Sequence, residues 1–192
     1  MTAVTRGRPR LLFARNFLAN PRGIGSVIPS SRRLTQRLLA GIDWSSAHTI
    51  VEYGPGTGVV TRALLARMAP DARLFAFEIN SEFVAYLRRS ITDPRLTVIA
   101  ASAETVAAVL QAHGITACDA AISSLPFSIM PAPVRRAIVA ATSAVLAPAA
   151  QLVGYQYSTR WLHELRGSFS RVTVHFEPRN WPPAFVFTAR QD

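Results

Sequence analysis

The stretch Val51-Glu52-Tyr53-Gly54-Pro55-Gly56-Thr57-Gly58 decides the fold of this 192-residue chain. It follows the apolar run His48-Thr49-Ile50-Val51 and precedes an amphipathic segment over 59–68, which together predict a strand, a glycine-rich turn and a helix. The glycines allow a sharp turn and a close backbone approach to a ligand, and the next helix directs its free N–H groups at that ligand. Glu78, 20 residues after Gly58, ends a second apolar run, where a carboxylate can accept hydrogen bonds from ribose hydroxyls.

From residue 48 onward the chain alternates between strand and helix patterns. Strands are predicted near 48–53, 73–78, 96–100, 117–123, 150–157, 170–177 and 184–190. Helices are predicted near 57–68, 80–90, 102–113, 131–147 and 159–166, with an earlier one over 32–40 that Ser31 caps. Five strands separated by helices predict an α/β fold with a parallel sheet. The connection 178–183 is too short for a crossover helix, so the last two strands should form an antiparallel hairpin at the sheet edge.

The formal net charge of +10 is concentrated near the start of the chain. All 21 basic residues are arginine, and eight of them precede Asp43, the first acidic residue. Arginine matches phosphate groups through paired hydrogen bonds. The segment therefore predicts a polyanionic partner, either anionic lipid or nucleic acid, with a solvated basic tail as the alternative.

Residues 6–20 combine this charge with an apolar helical face. Phe13 and Phe17 are four residues apart, and Leu11 and Leu18 are seven apart. Such a helix can lie in a membrane interface, or it can dock on its own domain. In the first case the membrane-binding residues are Arg8, Arg10, Leu11, Phe13, Arg15 and Phe17.

The composition excludes several other classes of protein. The single cysteine, Cys118, rules out a disulfide framework, and no metal site is expected. The uncharged stretch 137–159 is interpreted as a helix that ends near Pro148, followed by a buried strand, rather than as a membrane span. No secretory signal is recognised, and the expected location is cytoplasmic.

A second motif, Ser123-Ser124-Leu125-Pro126-Phe127, ends the fourth predicted strand. It resembles the Asn/Asp/Ser-x-Pro-aromatic loop with which many amino-methyltransferases hold a target nitrogen: a carbonyl or short polar side chain accepts from the amine, and the aromatic ring packs beside it. A reversed seventh strand, the glycine turn and the acid after strand two likewise resemble the class I S-adenosylmethionine-dependent methyltransferases, which have a Rossmann-like fold. A nicotinamide enzyme has a similar glycine turn.

A closer resemblance, to the bacterial phospholipid N-methyltransferases, spans nearly the whole chain. The motifs that carry it are 25–31 (GSVIPSS), 51–58, 124–127 and 179–184 (RNWPPA). It implies stepwise methylation of phosphatidylethanolamine toward phosphatidylcholine, by an enzyme that is peripheral on the inner face of the cell membrane. It also implies that the N-terminal helix binds anionic lipid, and neither nucleic acid nor an obligate protein partner is expected.

The same resemblance assigns the site residues and divides the chain into a basic N-terminal part, 1–42, and a methyltransferase domain, 43–192. Ser124, Leu125, Pro126 and Phe127 would be catalytic. The S-adenosylmethionine site would comprise Glu52, Gly54, Pro55, Gly56, Thr57, Gly58, Glu78, Ile79, Ser102, Ala103 and Ser123. Many relatives carry Asp where Ser102 stands, so Ser102, a backbone group or water would bind the adenine amino group. Glu52 would face the positive end of the cofactor, or would pair with a neighbouring arginine.

Three other functions remain open. RNA adenine N6-methylation uses the same loop, but RNA dimethyltransferases usually append a helical C-terminal domain, whereas this chain ends after its last predicted strand. Ornithine lipids carry an amine comparable to that of phosphatidylethanolamine. A catalytically silent membrane- or RNA-binding module would bind the cofactor without turnover.

Overall fold

The strands form a single sheet. A computed structural model describes residues 31–191, and its strands are β1 (Thr49–Tyr53), β2 (Arg73–Phe77), β3 (Leu96–Ile99), β4 (Cys118–Ser123), β5 (Leu146–Gln156), β6 (Arg171–Glu177) and β7 (Ala184–Arg190). Their order is β3-β2-β1-β4-β5-β7-β6. Strands β1 to β5 are mutually parallel, and β7 is antiparallel to both of its neighbours. This confirms the predicted α/β fold and its terminal hairpin.

The helices that connect these strands occupy the predicted places. They are α1 (Arg32–Leu39), α2 (Val59–Leu65), α3 (Ser81–Ser90), α4 (Val106–Ala112), α5 (Ala132–Val145) and α6 (Leu162–Leu165), with short 3-10 helices over Ala103–Thr105 and Phe127–Ile129. Side chains cap two of the helices, and the cap at Ser31 was predicted. The Ser31 hydroxyl accepts from the Leu34 amide at 3.1 Å, and Asn80 accepts from the Glu82 amide at 2.8 Å.

The largest boundary difference lies between α5 and β5. The helix ends at Val145 and β5 begins at Leu146, so Pro148 lies inside the strand rather than at the end of the helix. The pairing of β4 with β5 shifts register between Cys118 and Ala120, and Ala149 has a φ of +62°. Proline and the left-handed residue are accommodated because this part of the strand is bulged.

The core has two layers, one on each face of the sheet. Side chains of α4, α5 and α6 pack with Val51, Phe75 and Leu152, and side chains of α1 and α2 pack with Ile50, Leu74 and Val153 on the other face. Alternate residues of β1 thus enter opposite layers, as a sheet covered on both faces requires. This packing holds the carboxyl ends of the strands in fixed register.

Some predictions fall outside the described residues. The N-terminal amphipathic helix and its six membrane-binding residues lie there, as does most of the motif 25–31. Helix α1 is described, and its residues Leu34, Leu38 and Leu39 are buried in the core. Across residues 31–191, no helix has the length and hydropathy needed to cross a bilayer.

Candidate active site

The predicted site residues follow the carboxyl ends of β1, β2 and β4. Tyr53, the last residue of β1, is in register with Phe77 of β2 and Ser123 of β4. The next residues are also tied together, since the Gly54 amide donates to the Phe77 carbonyl and the Ser124 amide donates to the Tyr53 carbonyl, both at 2.9 Å. The structure therefore brings together the glycine loop, Glu78 and the loop after β4. The site lies where the strand order reverses, as ligand sites of open parallel sheets do.

The glycine loop has the conformation that its sequence predicts. Gly54, Gly56 and Gly58 have φ values of +69°, +53° and +78°, which residues with a Cβ adopt only at a cost. A Cβ at Gly56 would meet no atom within 4 Å, so this residue faces open space. A Cβ at Gly54 would lie 3.0 Å from Leu125 Cδ2, so the glycine loop and the loop after β4 are in contact.

Glu78 is fixed beside the open position. Its carboxylate accepts from the Gly56 amide at 3.1 Å and from the Asn80 amide at 2.9 Å. Burial raises the pKa of Glu78, and the backbone hydrogen bonds oppose that shift. Each carboxylate oxygen has a further lone pair. Glu78 can therefore still accept hydrogen bonds from a pair of ligand hydroxyls.

Glu52 is a second buried acid close to the first. It has no exposed surface, and neither of its oxygens has a hydrogen-bond partner in the part of the chain that the structure describes. Burial raises the pKa of Glu52 to about 8, and the charge of Glu78 adds to this, while Thr61 opposes it. The Thr61 hydroxyl lies close to Glu52 but outside hydrogen-bonding geometry.

The surroundings of Glu52 bear on its two predicted roles. No arginine among residues 31–191 pairs with it, so the structure provides no support for the alternative of a structural ion pair. A cation bound above the glycine loop would stabilise the ionised forms of Glu52 and Glu78 together. Two buried acids beside an open glycine thus fit a ligand that carries a positive charge and a ribose.

The loop after β4, residues 124–130, is held in a single conformation. Pro126 has φ −81° and ψ 65°, the geometry of an inverse γ-turn, and the Phe127 amide donates to the Leu125 carbonyl at 2.9 Å. The Ser123 hydroxyl accepts from the Leu125 amide at 3.2 Å. Ser123 therefore shapes the loop from within the sheet.

Gln156, at the end of β5, bridges two points of this loop. Its Nε2 donates to the Leu125 carbonyl at 2.7 Å, and its Oε1 accepts from the Ser128 amide at 3.1 Å. With the Phe127 amide, the Leu125 carbonyl has two donors, which use both of its lone pairs. The Ser124 hydroxyl has no hydrogen-bond partner among the described residues. The Ser124 hydroxyl is therefore a group of this loop that can accept from an amine.

Arg135 on α5 holds the other end of the loop. Its Nη1 donates to the carbonyls of Phe127 and Met130, both at 2.9 Å, and its Nε donates to Glu164 Oε2 at 3.0 Å. The guanidinium keeps the pKa of Glu164 below its usual range. Nothing in the sequence marks Arg135, Glu164 and Gln156 as site residues, because they are far apart in the chain and belong to no motif.

Phe127 differs from expectation. Its ring was expected beside the amine, but it is fully buried, with ring centroids 4.8 Å from Trp161 and 6.5 Å from Phe187. In this structure the ring anchors the loop to the core. The difference arises because the turn at Pro126 directs the next side chain down between α5, α6 and the sheet.

The remaining predicted cofactor residues line the ends of β2 and β3. Ile79 is 44% exposed, as an apolar contact for a ring would require. The Ser102 hydroxyl accepts from the Glu104 amide at 3.4 Å and caps the 3-10 helix. Ala103 is buried in the core beneath it. The contact of Ser102 with adenine stays a prediction.

Comparisons with known proteins agree with this geometry. A family described as "Methyltransferase domain" matches residues 50–149. The chain is 31% identical to an ornithine lipid N-methyltransferase of Singulisphaera acidiphila over 182 residues, which cover 93% of this chain and 94% of the relative. It is 33% identical to ribosomal RNA small subunit methyltransferase A of Thiobacillus denitrificans over 95 residues, or 50% of this chain and 32% of that protein.

Solved structures share the fold at low identity. A 1,6-didemethyltoxoflavin-N1-methyltransferase from Burkholderia thailandensis superposes with a TM-score of 0.72 at 15% identity, over 100% of this chain and 93% of the other. A 16S ribosomal RNA N2 G1207 methyltransferase from Thermus thermophilus gives 0.65 at 18% identity, over 89% of this chain and 45% of the other.

Proposed function

The chain belongs to the methyltransferase-domain family, and on that premise we propose that it methylates the primary amine of a membrane lipid. The protein is a class I S-adenosylmethionine-dependent methyltransferase, and S-adenosylmethionine is its cofactor. The observation that carries the proposal is the likeness to a lipid N-methyltransferase along nearly the full length of both chains. The contact between the glycine loop and the loop after β4 supports it, because Ser124, the proposed amine-binding residue, would then lie beside the proposed cofactor position.

The lipid itself is part of the proposal. The motifs favour phosphatidylethanolamine and its methylated intermediates, and the name of the relative favours an ornithine lipid. Both headgroups present a primary amine on a short flexible chain at the surface of a bilayer. We propose phosphatidylethanolamine as the first substrate, methylated at the inner face of the cell membrane.

The residues of this chain would act mainly by positioning. Bound S-adenosylmethionine supplies an electrophilic methyl group on a positively charged sulfur. Glu78 would hold the ribose, and Glu52 would stabilise the positive charge from below the glycine loop. The Ser124 hydroxyl would accept a hydrogen bond from the amine and orient its lone pair, and Gln156 and Arg135 would hold the loop still. Such alignment contributes up to ~7–11 kcal/mol in well-oriented systems.

The attacking amine must be neutral, so a proton leaves it before or during the transfer. None of the described groups at the loop is a strong base, and the Ser124 hydroxyl would only accept a hydrogen bond. The neutral fraction of the amine rises with pH. We therefore expect the rate to rise with pH up to the pKa of the lipid amine.

RNA adenine methylation is the second candidate, favoured by the partial likeness to ribosomal RNA methyltransferases. One experiment separates the two: labelled S-adenosylmethionine is offered with vesicles of phosphatidylethanolamine, with vesicles of ornithine lipid, and with ribosomal RNA. We expect label in a lipid fraction. Label in RNA alone would overturn the proposal, and the two vesicle arms distinguish the lipids.

A variant pair tests the role of Ser124. Ser124→Ala should lower the rate of lipid methylation about tenfold, as expected for the loss of one hydrogen bond of ~1–1.5 kcal/mol, without changing cofactor affinity. Ser128→Ala, in the same loop, is the control, because Ser128 donates to Gln156 through its backbone amide. Equal rates for the two variants would remove Ser124 from the mechanism.

A further inference from the structure

The exposed large apolar side chains are concentrated at one edge of the sheet. Among residues 31–191 they are Val59, Ile79, Tyr86, Ile129, Tyr157, Phe176 and Trp181. All except Tyr86, which lies within α3, are at or just beyond the carboxyl ends of β1, β2, β4, β5 and β6. Scattered exposed apolar residues need no explanation, but a concentration at one place does.

Four of these residues form what we call the apolar rim: Ile129, Tyr157, Phe176 and Trp181. The register places their backbones at the same edge, with Tyr157 on the face of Tyr155 and Phe176 on the opposite face with Phe185. Gln156, just before Tyr157, pairs with Phe185 of β7, which also pairs with Phe176 of β6. Ile129 belongs to the loop after β4, which Gln156 bridges. The rim therefore borders the loop that presents Ser124.

Trp181 is the most prominent member of the rim. It is 82% exposed, at the tip of the β6–β7 hairpin. The tip is held from within: Asn180 is buried and its Nδ2 donates to the Pro182 carbonyl at 2.7 Å, and the Arg179 amide donates to Glu177 Oε1 at 3.1 Å. An indole held out on a fixed turn loses little conformational freedom when it is buried by a partner.

The charges around the rim are positive. Arg136, Arg160 and Arg179 are exposed there. The two carboxylates nearby are already paired, Glu164 with Arg135 and Glu177 with Arg37. Four aspartates lie instead near the amino ends of strands, at the opposite edge of the sheet: Asp43, Asp71, Asp93 and Asp119. Glu82 and Glu104 follow β2 and β3, at the far end of the sheet from the rim. The part of the edge that carries the rim is thus suited to an anionic surface.

We propose that the apolar rim and its three arginines dock the domain on an anionic lipid bilayer, with Trp181 inserted at the level of the headgroups. This docking surface lies on the folded domain and is distinct from residues 1–30. The inference rests on the proposed lipid substrate, because docking here turns the Ser124 loop toward the headgroups. Tryptophan and tyrosine favour the bilayer interface, and basic residues bind anionic lipid.

RNA is the competing partner for such a surface, because aromatic rings can stack on bases between arginines. Two features favour the bilayer. Ile129 offers no ring to stack on, and four exposed apolar side chains accompany only three arginines. If RNA is the partner, RNA rather than vesicles will change the fluorescence of Trp181.

The intrinsic tryptophans provide the probe. Trp181 is exposed, Trp161 is 3% exposed and Trp44 lies before β1 at the opposite edge. The full chain is mixed with vesicles of phosphatidylcholine and phosphatidylglycerol whose acyl chains are brominated, without methyl donor. We expect the vesicles to quench the tryptophan fluorescence and shift it to the blue. Both effects should be absent from Trp181→Phe when the same fraction of protein is bound to vesicles.

Affinity gives a second readout. Burial of one large side chain predicts that Trp181→Ser weakens vesicle binding by about tenfold or more. Tyr86→Ser, which removes an exposed aromatic residue away from the rim, should keep a vesicle affinity within twofold of that of the unmodified chain.

Each contrary outcome would overturn the inference. Vesicle binding with unquenched Trp181 would place the contact elsewhere in the chain. The other two contrary outcomes are the absence of vesicle binding and a change of Trp181 emission with RNA but not with vesicles. The vesicles contain no primary amine, so this test is independent of methyl transfer. A chain that docks but methylates no lipid would refute the proposed function and leave the docking surface intact.

Discussion

Replacing Gln156 by leucine is the sharpest test of how the site is built. The side chain is 2% exposed, and leucine has a similar size, so the substitution removes two hydrogen bonds with little change of packing. The Leu125 carbonyl and the Ser128 amide each lose a partner. Arg135 still holds the Phe127 and Met130 carbonyls. The loop should therefore stay folded but shift at its Leu125 end, next to Ser124.

The size of the effect follows from these contacts. Two hydrogen bonds of ~0.5–1.5 kcal/mol each predict a loss of about 1–3 kcal/mol in the free energy of unfolding. The effect on catalysis should be larger in proportion, since a displacement of ~1 Å at a reacting centre can cost on the order of 100-fold in rate. We expect kcat/KM for the lipid to fall by about 10- to 100-fold. The affinity for S-adenosylmethionine should change less than twofold, because both hydrogen bonds of Gln156 go to the loop after β4 rather than to the glycine loop.

Gln151→Leu is the matched control. Gln151 lies on the same strand and is 3% exposed, and its Oε1 accepts from Arg190 at 2.6 and 2.9 Å. It is five residues from Gln156, or about 17 Å along the strand. This variant should lose comparable stability and keep its activity. A positioning role for Gln156 is refuted if both variants lose activity in proportion to stability. It is also refuted if Gln156→Leu retains more than half of the methylation rate of the unmodified protein with vesicles.

Three further variants test the cofactor side. Glu78→Gln should raise the dissociation constant of S-adenosylmethionine by about 10- to 100-fold in calorimetry, because charge-assisted hydrogen bonds contribute ~1.5–3 kcal/mol; unchanged affinity would exclude the ribose role. Gly58→Ala should cost about 2–4 kcal/mol in urea unfolding, ~1 kcal/mol from backbone strain and about 1–3 kcal/mol from overpacking, since its Cβ would lie 2.8 Å from Leu87 Cδ2. Gly114→Ala is the control: Gly114 has φ +71°, and an added Cβ would meet no atom within 4 Å, so the variant should lose only ~1 kcal/mol through backbone strain. Equal losses of stability in the two variants would contradict a clash at Gly58. The pKa of Glu52 is raised to about 8 from 4.5, so the folded cofactor-free chain binds the extra proton and its stability should fall as pH rises from 5 to 8.5. Glu52→Gln should flatten that dependence, and a parallel slope would show that Glu52 ionises normally.

The sequence by itself determined the order of elements and the class of fold. Apolar runs separated by amphipathic segments can bury their side chains only as a sheet covered on both faces, and the short connection 178–183 forces the last strand to reverse. Gly54, Gly56 and Gly58 likewise determine their own loop, because a positive φ is a local property of the backbone. The position of Glu78 beside the glycine loop could be predicted because Glu78 directly follows β2, and β2 is the strand that succeeds β1 in the predicted parallel sheet. These inferences succeed where the cause lies within a few residues of its effect.

Only the tertiary structure decided how the loop after β4 is held and which way its groups face. Gln156 follows Leu125 by 31 residues and Arg135 precedes Glu164 by 29, and nothing local marks either pair. The burial of Phe127 could not be foreseen for the same reason, since Trp161 and Phe187 come from later parts of the chain. Hydrogen bonds and ring contacts between distant segments depend on the register and spacing of packed elements. The glycine loop and Glu78 are therefore determined locally by the sequence, whereas the orientation of Ser124, the proposed amine-binding residue, is a property of the assembled sheet.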